Sequence, residues 1–172
     1  STAATILLLA LLLLGTTFQY LVQDFLTKHT ISELQNDAGL ISNLAAAYSI
    51  DGSLTSVAFK LNLDVAAKVS GSDAVICSPW GEVLLCSDAP FGCEHRGWVV
   101  SKDYVNQVLR DGVAKNTGVF TGLYNDVRYV VSVPVLDAYT GMGVGIVMVS
   151  APMTETLTIL EKLSDIYVFA SF

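Results

Sequence analysis

The sequence predicts an α+β fold: an antiparallel sheet with a long N-terminal helix packed on one face, flanked by transmembrane helices. Three observations lead there. The chain opens with an apolar run of membrane length, residues 3–22 (AATILLLALLLLGTTFQYLV). Helical spacing of apolar residues continues from that run to Tyr48. Five short β-rich stretches, parted by Gly, Pro and Asn turns, then fill the chain from Ala74 to Ala151.

At 1.5 Å rise per residue, about 20 residues cross the roughly 30 Å hydrocarbon core of a bilayer. Gln19 alone in the first run carries a strongly polar side chain. The apolar core Ile6–Leu14 also has the length of a signal peptide, but no basic stretch precedes it, and Gly15-Thr16-Thr17 makes a poor cleavage site. The expectation is an uncleaved anchor over residues 1–23. A second apolar run, Ile166–Phe172, is read as the start of a second membrane helix, truncated here and reached by an exit helix over residues 152–172. The domain between them covers residues 24–151, enough for one core.

All sixteen acidic and nine basic side chains lie between Asp24 and Asp165, so the net charge of −7 belongs to this domain. That charge argues against a nucleic-acid partner. The acids are scattered, as on a solvated surface, and form neither a divalent-cation platform nor a zinc spacing. Of the three cysteines, Cys86 and Cys93 bracket the turn-rich loop CSDAPFGC and are the expected disulfide, which implies an oxidising, extracytoplasmic side. Cys77 and Cys86 would lie diagonally across a hairpin, about 7–8 Å apart, too far for an easy bridge. Three reduced, buried thiols are the alternative.

Within the domain, Ile31, Leu34, Ala38, Ile41, Ala45 and Tyr48 draw one apolar stripe along the first helix. Asp51-Gly52-Ser53 ends it, and a second helix is expected from Ser56 to Val69, before Ser70-Gly71-Ser72. Ala74–Ser78 and Val83–Ser87 flank Pro79-Trp80-Gly81-Glu82 as a β-hairpin. Residues 88–97 read as a loop. Ser101 caps a helix through Tyr104, Val105, Val108 and Leu109 to Gly112. Three closing strands are expected at Gly118–Leu123, Val127–Val135 and Gly143–Ala151. From Pro152, Met153, Leu157, Leu160, Ser164 and Tyr167 mark the exit helix.

This order of elements, with the stretches DAVICSPWGEVLLCSD and RYVVSVPVLDAYTGMGVGIVMVSAP, resembles the PAS-like extracytoplasmic sensor domain (single Cache type) of bacterial sensor histidine kinases. The resemblance implies a five-stranded antiparallel sheet with the long helix on one face and a small ligand pocket, or a degenerate one, on the other. In citrate and dicarboxylate sensors of similar fold, basic side chains stand four and two residues before the Pro of the closing pair. Here those positions are Val130 and Ser132, which argues against a di- or tricarboxylate ligand. Arg128 lies one pleat further along on the same face and is a candidate anion contact. His95 and Arg96 fall where such sensors place a histidine that touches ligand. Histidine there titrates near neutral pH, and arginine pairs carboxylates or phosphates bidentately. Trp80, Trp98, Tyr124 and Tyr129 are candidate pocket walls.

No catalytic constellation, nucleophile elbow or P-loop is present in the sequence, and no cofactor is implied. The expected role is an input module for a small molecule, a peptide or a partner protein. It would act as a homodimer through its N-terminal and exit helices and signal across the membrane to a kinase elsewhere in the protein. A chemoreceptor or a cyclic-dinucleotide enzyme could carry the same module. A pilin-like structural subunit is the other class, but residues 1–22 lack the glutamate that pilins place near the start of the apolar helix.

Overall fold

In the computed structural model, residues 1–49, 56–87, 95, 97–120 and 123–153 are described. The chain divides into two compact units, one holding residues 1–30 and the other Ile31–Pro152. Helix α1, Thr2–Ser49, contributes its first part to one unit and its remainder to the other.

In the first unit α1 is long and apolar enough to cross a membrane, with Ile6, Leu7, Leu8, Leu9, Leu12 and Leu13 all exposed. The paired threonine hydroxyls in the run are satisfied within the helix, Thr16 Oγ1 donating to the Leu12 carbonyl and Thr17 Oγ1 to that of Leu13, each at 2.8 Å. Such back-bonding lets threonine sit in hydrocarbon without an orphaned donor.

In the second unit α1 buries Leu34, Ala38, Ile41 and Ala45, the stripe read from its spacing. Helix α2 runs Val57–Ser70. Ser56 Oγ accepts from the Phe59 amide, and Gly71 ends the helix in a left-handed conformation (φ 68°). The hairpin β1 (Asp73–Cys77) and β2 (Val83–Cys86) follows. At its turn Gly81 has φ 91°, and a side chain there would strike the Val100 carbonyl. Residues 98–100 run along β2, with Val83 N donating to Trp98 O and Val100 N to Gly81 O, so the outer edge of β2 is covered. Helix α3, Lys102–Asp111, is capped by Ser101 and closed by Gly112 (φ 76°), as its end signals require.

Strands β3 (Ala114–Gly118), β4 (Arg128–Leu136) and β5 (Gly143–Pro152) complete an antiparallel sheet in the order β2-β1-β5-β4-β3. The sheet thus has the expected five strands, but one lies elsewhere than its sequence pattern suggested. The third strand is Ala114–Gly118, not Gly118–Leu123. Its register on β4 runs from Ala114 opposite Ser132 to Gly118 opposite Arg128. The chain then turns, the amides of Leu123 and Tyr124 both donating to the Phe120 carbonyl. Ala114, Lys115 and Asn116 have low β-propensity, whereas an edge strand with solvated side chains tolerates them.

Several expectations fall on residues outside those described: the helix end at Asp51-Gly52-Ser53, most of the loop over 88–97, and the exit helix with the second apolar run.

Candidate functional site

The two faces of the sheet differ in chemistry. Register and the two-residue alternation of strands place Asp73, Val75 and Cys77 of β1, Cys86 of β2, Ala114 and Asn116 of β3, Arg128, Val130 and Ser132 of β4, and Ile146, Met148 and Ser150 of β5 on one face. The apolar members pack under Val105 and Val108 of α3, joined at the rim by Trp98, Tyr104, Leu109, Phe120 and Tyr124. The alternate positions Ala74, Ile76, Tyr129, Val131, Val147 and Val149 are buried on the opposite face, the side of α1 and α2.

Polar groups converge on the α3 face in two places. Ser132 is fully buried at the sheet centre, its Oγ 2.6 Å from the Tyr104 hydroxyl, which accepts at 3.2 Å from Asn116 Nδ2. Burial raises the Tyr104 pKa, and the hydrogen bonds from Ser132 and Asn116 partly offset it. In the same layer burial pushes the Cys77 thiol to about 12, so the group is a neutral, inert thiol at physiological pH.

The second place is the start of β4. Arg128 Nη1 donates to Asp73 Oδ2 at 2.6 Å and to Ser150 Oγ at 3.3 Å, while Nε donates to Asp126 Oδ1 at 2.8 Å. Its guanidinium carbon stands 3.9 Å from the centre of the Tyr124 ring, and that ring lies 5.6 Å from His95. Burial works against the Arg128 charge, but the hydrogen bonds it donates to Asp126 and Asp73, with the charges of those carboxylates, prevail and raise its pKa. Arg128 is therefore half-buried and held by carboxylates, not a solvated strand end.

Of the site residues read from sequence, the structure brings His95, Tyr124 and Arg128 into one chain of contacts. Ser132 is on the same face four residues along β4, about 13 Å away at 3.3 Å per residue. Arg96 and Cys93 lie outside the described residues. Cys86 is disulfide-bonded and Cys77 is free. Trp98 packs at the rim as expected, but Trp80 stands exposed at the hairpin turn and Tyr129 belongs to the opposite face, so neither walls this site. Sequence reasoning missed Tyr104, Asn116, Asp73, Asp126 and Ser150. Period-two alternation from Arg128, carried across a correct strand register, would have found Ser150 and Asp73.

Surface clefts of about 270 and 240 Å³ lie between α1 and α2, lined by Asp37, Val69 and Ser70 among others. The first is polar, with Glu33, Asn36, Asp37 and Ser70 in its walls, but it lies open at the surface, whereas the polar groups under α3 are buried and hydrogen-bonded to one another, and the α3 face is the stronger candidate. Among the described residues no cluster of His, Cys, Asp or Glu is arranged to hold a metal ion.

No family model matches the chain, and no curated protein matches it. Solved structures do. The sensor domain of the Vibrio cholerae histidine kinase DctB superposes with a TM-score of 0.66 at 14% identity, covering 83% of this chain and 56% of that one. The sensor domain of Escherichia coli DcuS superposes with a TM-score of 0.57 at 12% identity, covering 76% of this chain and 96% of that one. The chain thus spans a little over half of the first structure and nearly all of the second. The likeness is one of fold: this chain has the PAS-like architecture of those sensor domains.

Proposed function

We propose that this chain is the extracytoplasmic input domain of a membrane-bound two-component sensor histidine kinase, with residues 1–23 as its first membrane helix, 24–151 as the sensor domain, and 152–172 leading into a second span. The observation that carries the reading is the set of polar groups on the α3 face, in a fold similar to two sensor domains. A scaffold needs no buried Ser-Tyr-Asn network and no arginine between two aspartates. Burying such groups has a free-energy cost, and a binding function explains why they are present.

In this reading a small molecule or peptide enters beneath α3 and the turn over residues 119–127, touching Ser132, Tyr124, His95, Arg96 and Arg128. An anionic ligand group would take the place of Asp126 on Arg128. Arg128 pairs across the sheet with Pro152, where β5 ends, so a shift there would act on the segment that leaves the domain. A Cys86–Cys93 bridge would hold the loop carrying His95 and Arg96 over the sheet. Alkylation without reductant should then modify neither Cys86 nor Cys93 and reach Cys77 only after unfolding.

Two experiments test the proposal. Thermal shift of the chain in detergent against a panel of carboxylates, amino acids and amines should find a compound that raises the melting temperature, and Arg128→Ala should abolish a rise produced by an anion. The reading frame beyond Phe172 should encode a phosphoacceptor helix and an ATP-binding domain. A chemoreceptor or cyclic-dinucleotide output there would keep the sensor and change its reaction. The exposed, membrane-length apolar helix supports membrane anchoring, and the disulfide on Cys86 supports an oxidising side of the membrane.

A further inference from the structure

Among the described residues Lys60 of α2 is the one charged side chain that is buried, at 8% exposure, and it belongs to the side of the sheet away from α3. Its ammonium donates to the Cys86 carbonyl at 2.5 Å and to Asp64 Oδ1, one turn along the same helix, at 2.7 Å. Taking a cation out of water is costly, and a neutral donor would cap a carbonyl more cheaply. The position of that carbonyl gives the charge a reason. Cys86 ends β2, the edge strand, and the loop over residues 87–97 leaves from it. That loop is fastened to the hairpin at both roots. Where it departs, the Ser87 amide donates to the Ala74 carbonyl and Ser87 Oγ accepts from the Ala74 amide. Where it returns, the Gly97 amide donates to the Val83 carbonyl and the Val83 amide to that of Trp98. Between the roots, His95 meets the Tyr124 ring on which Arg128 stacks.

Cys86 is gripped from two directions. Its side chain, in a disulfide, belongs to the core under α3, and its carbonyl is on Lys60 from the α2 side. Helix α2 is itself fixed to α1: Asn62 Nδ2 donates to the Tyr48 hydroxyl at 2.7 Å, and the Tyr48 and Phe59 rings are 5.1 Å apart. We infer that Lys60 is a positioning residue: acting through Cys86, it fixes the root of the loop that presents His95 to the α3 face. The purpose given to the loop rests on the recognition role proposed above, whereas the grip on its root does not. Without the ammonium the Cys86 carbonyl loses a charge-assisted hydrogen bond and the root is free to move off α2. A contact that is tighter with the bridge closed than open resists reduction by linkage, so the disulfide reports the grip.

The test compares Lys60→Met, of similar length but without a donor, with Leu63→Ala, a change on the same buried face of α2 whose side chain has no hydrogen bond to give. The equilibrium between the Cys86 disulfide and its thiols is read by alkylation of the chain in detergent, equilibrated in dithiothreitol redox buffers at pH 7. Lys60→Met should favour reduction about tenfold, a rise of about 30 mV in midpoint potential, while Leu63→Ala should change the ratio less than about twofold. Lys60→Gln keeps a donor on a shorter arm, should fall between them, and carries the comparison if Lys60→Met does not fold. An unmoved potential in the Lys60 variants would overturn the inference. So would an equal shift in Leu63→Ala, because loosened packing of α2 would then account for it. The panel of carboxylates, amino acids and amines separates the inference from the sensor reading, since the potential is measured without ligand. If no compound binds, the recognition role falls and the grip on the loop stands. A compound held equally well by wild type and Lys60→Met would overturn the positioning role and leave the sensor reading intact.

Discussion

The two faces of one sheet have been used differently. Toward α1 and α2 the strands offer Ala74, Ile76, Val131, Val147 and Val149, buried and without a charge among them. Toward α3 the same strands offer Ser132, Ser150, Asp73, Asn116 and Arg128 between apolar neighbours. A face that only has to hold the fold together is cheapest when wholly apolar, because each buried polar group must find a partner. The contrast agrees with the proposed function, in which the α1/α2 side holds the fold together and the α3 side is the one proposed for recognition.

The largest effect should come from the scaffold side. Phe59 is fully buried beneath α2, and Phe59→Ala should cost about 3–5 kcal/mol in equilibrium unfolding monitored by tryptophan fluorescence. A loss under about 1 kcal/mol would mean that this side is loosely packed and would weaken the contrast.

Next comes pH. The Cys77 thiol ionises near 9 when unfolded and near 12 when folded. Above pH 9 the unfolded chain sheds a proton that the native chain keeps, so stability falls as pH rises, by about 1.4 kcal/mol per unit and roughly 3 kcal/mol by about pH 11. Cys77→Ala should flatten most of that slope. The remainder would belong to Tyr104, whose pKa burial also raises. A slope that survives Cys77→Ala in full would place the titrating group elsewhere.

Arg128→Ala leaves Asp73 and Asp126 facing each other without their cation. Breaking a fully buried pair costs about 3–5 kcal/mol, but these two carboxylates remain partly in water, so about 2–3 kcal/mol is expected. An unchanged stability would return Arg128 to the solvated strand-end role and remove half of the polar cluster. Smallest is Tyr104→Phe, which strips the buried Ser132 hydroxyl of its partner and should cost about 1–2 kcal/mol.

How much of this was legible in the sequence follows the range of each interaction. The α1 stripe, the Ser101 cap, the Ser70-Gly71-Ser72 and Gly112 stops and the hairpin were readable because each is fixed by residues within a turn or two. Strand β3 was not, because Lys115, Asn116 and Thr117 form an edge strand through pairing with β4 and carry no apolar alternation of their own. The ion cluster was hidden for a related reason: Arg128 meets Asp73 across 55 residues of chain, and only the strand order reveals it. Tyr104 looked like one more core position of α3. Its hydroxyl became informative only once Ser132 and Asn116 were seen beside it.

The central claim is that the α3 face receives a ligand. The most direct measurement is the thermal shift of the intact chain against the panel of carboxylates, amino acids and amines, made in parallel on wild type and on the double variant Tyr104→Phe, Ser132→Ala, with each shift referred to the variant's own unliganded midpoint. The account predicts a compound that raises the wild-type melting temperature and leaves the double variant unmoved. A compound that raises both equally would contradict it and place recognition away from this face.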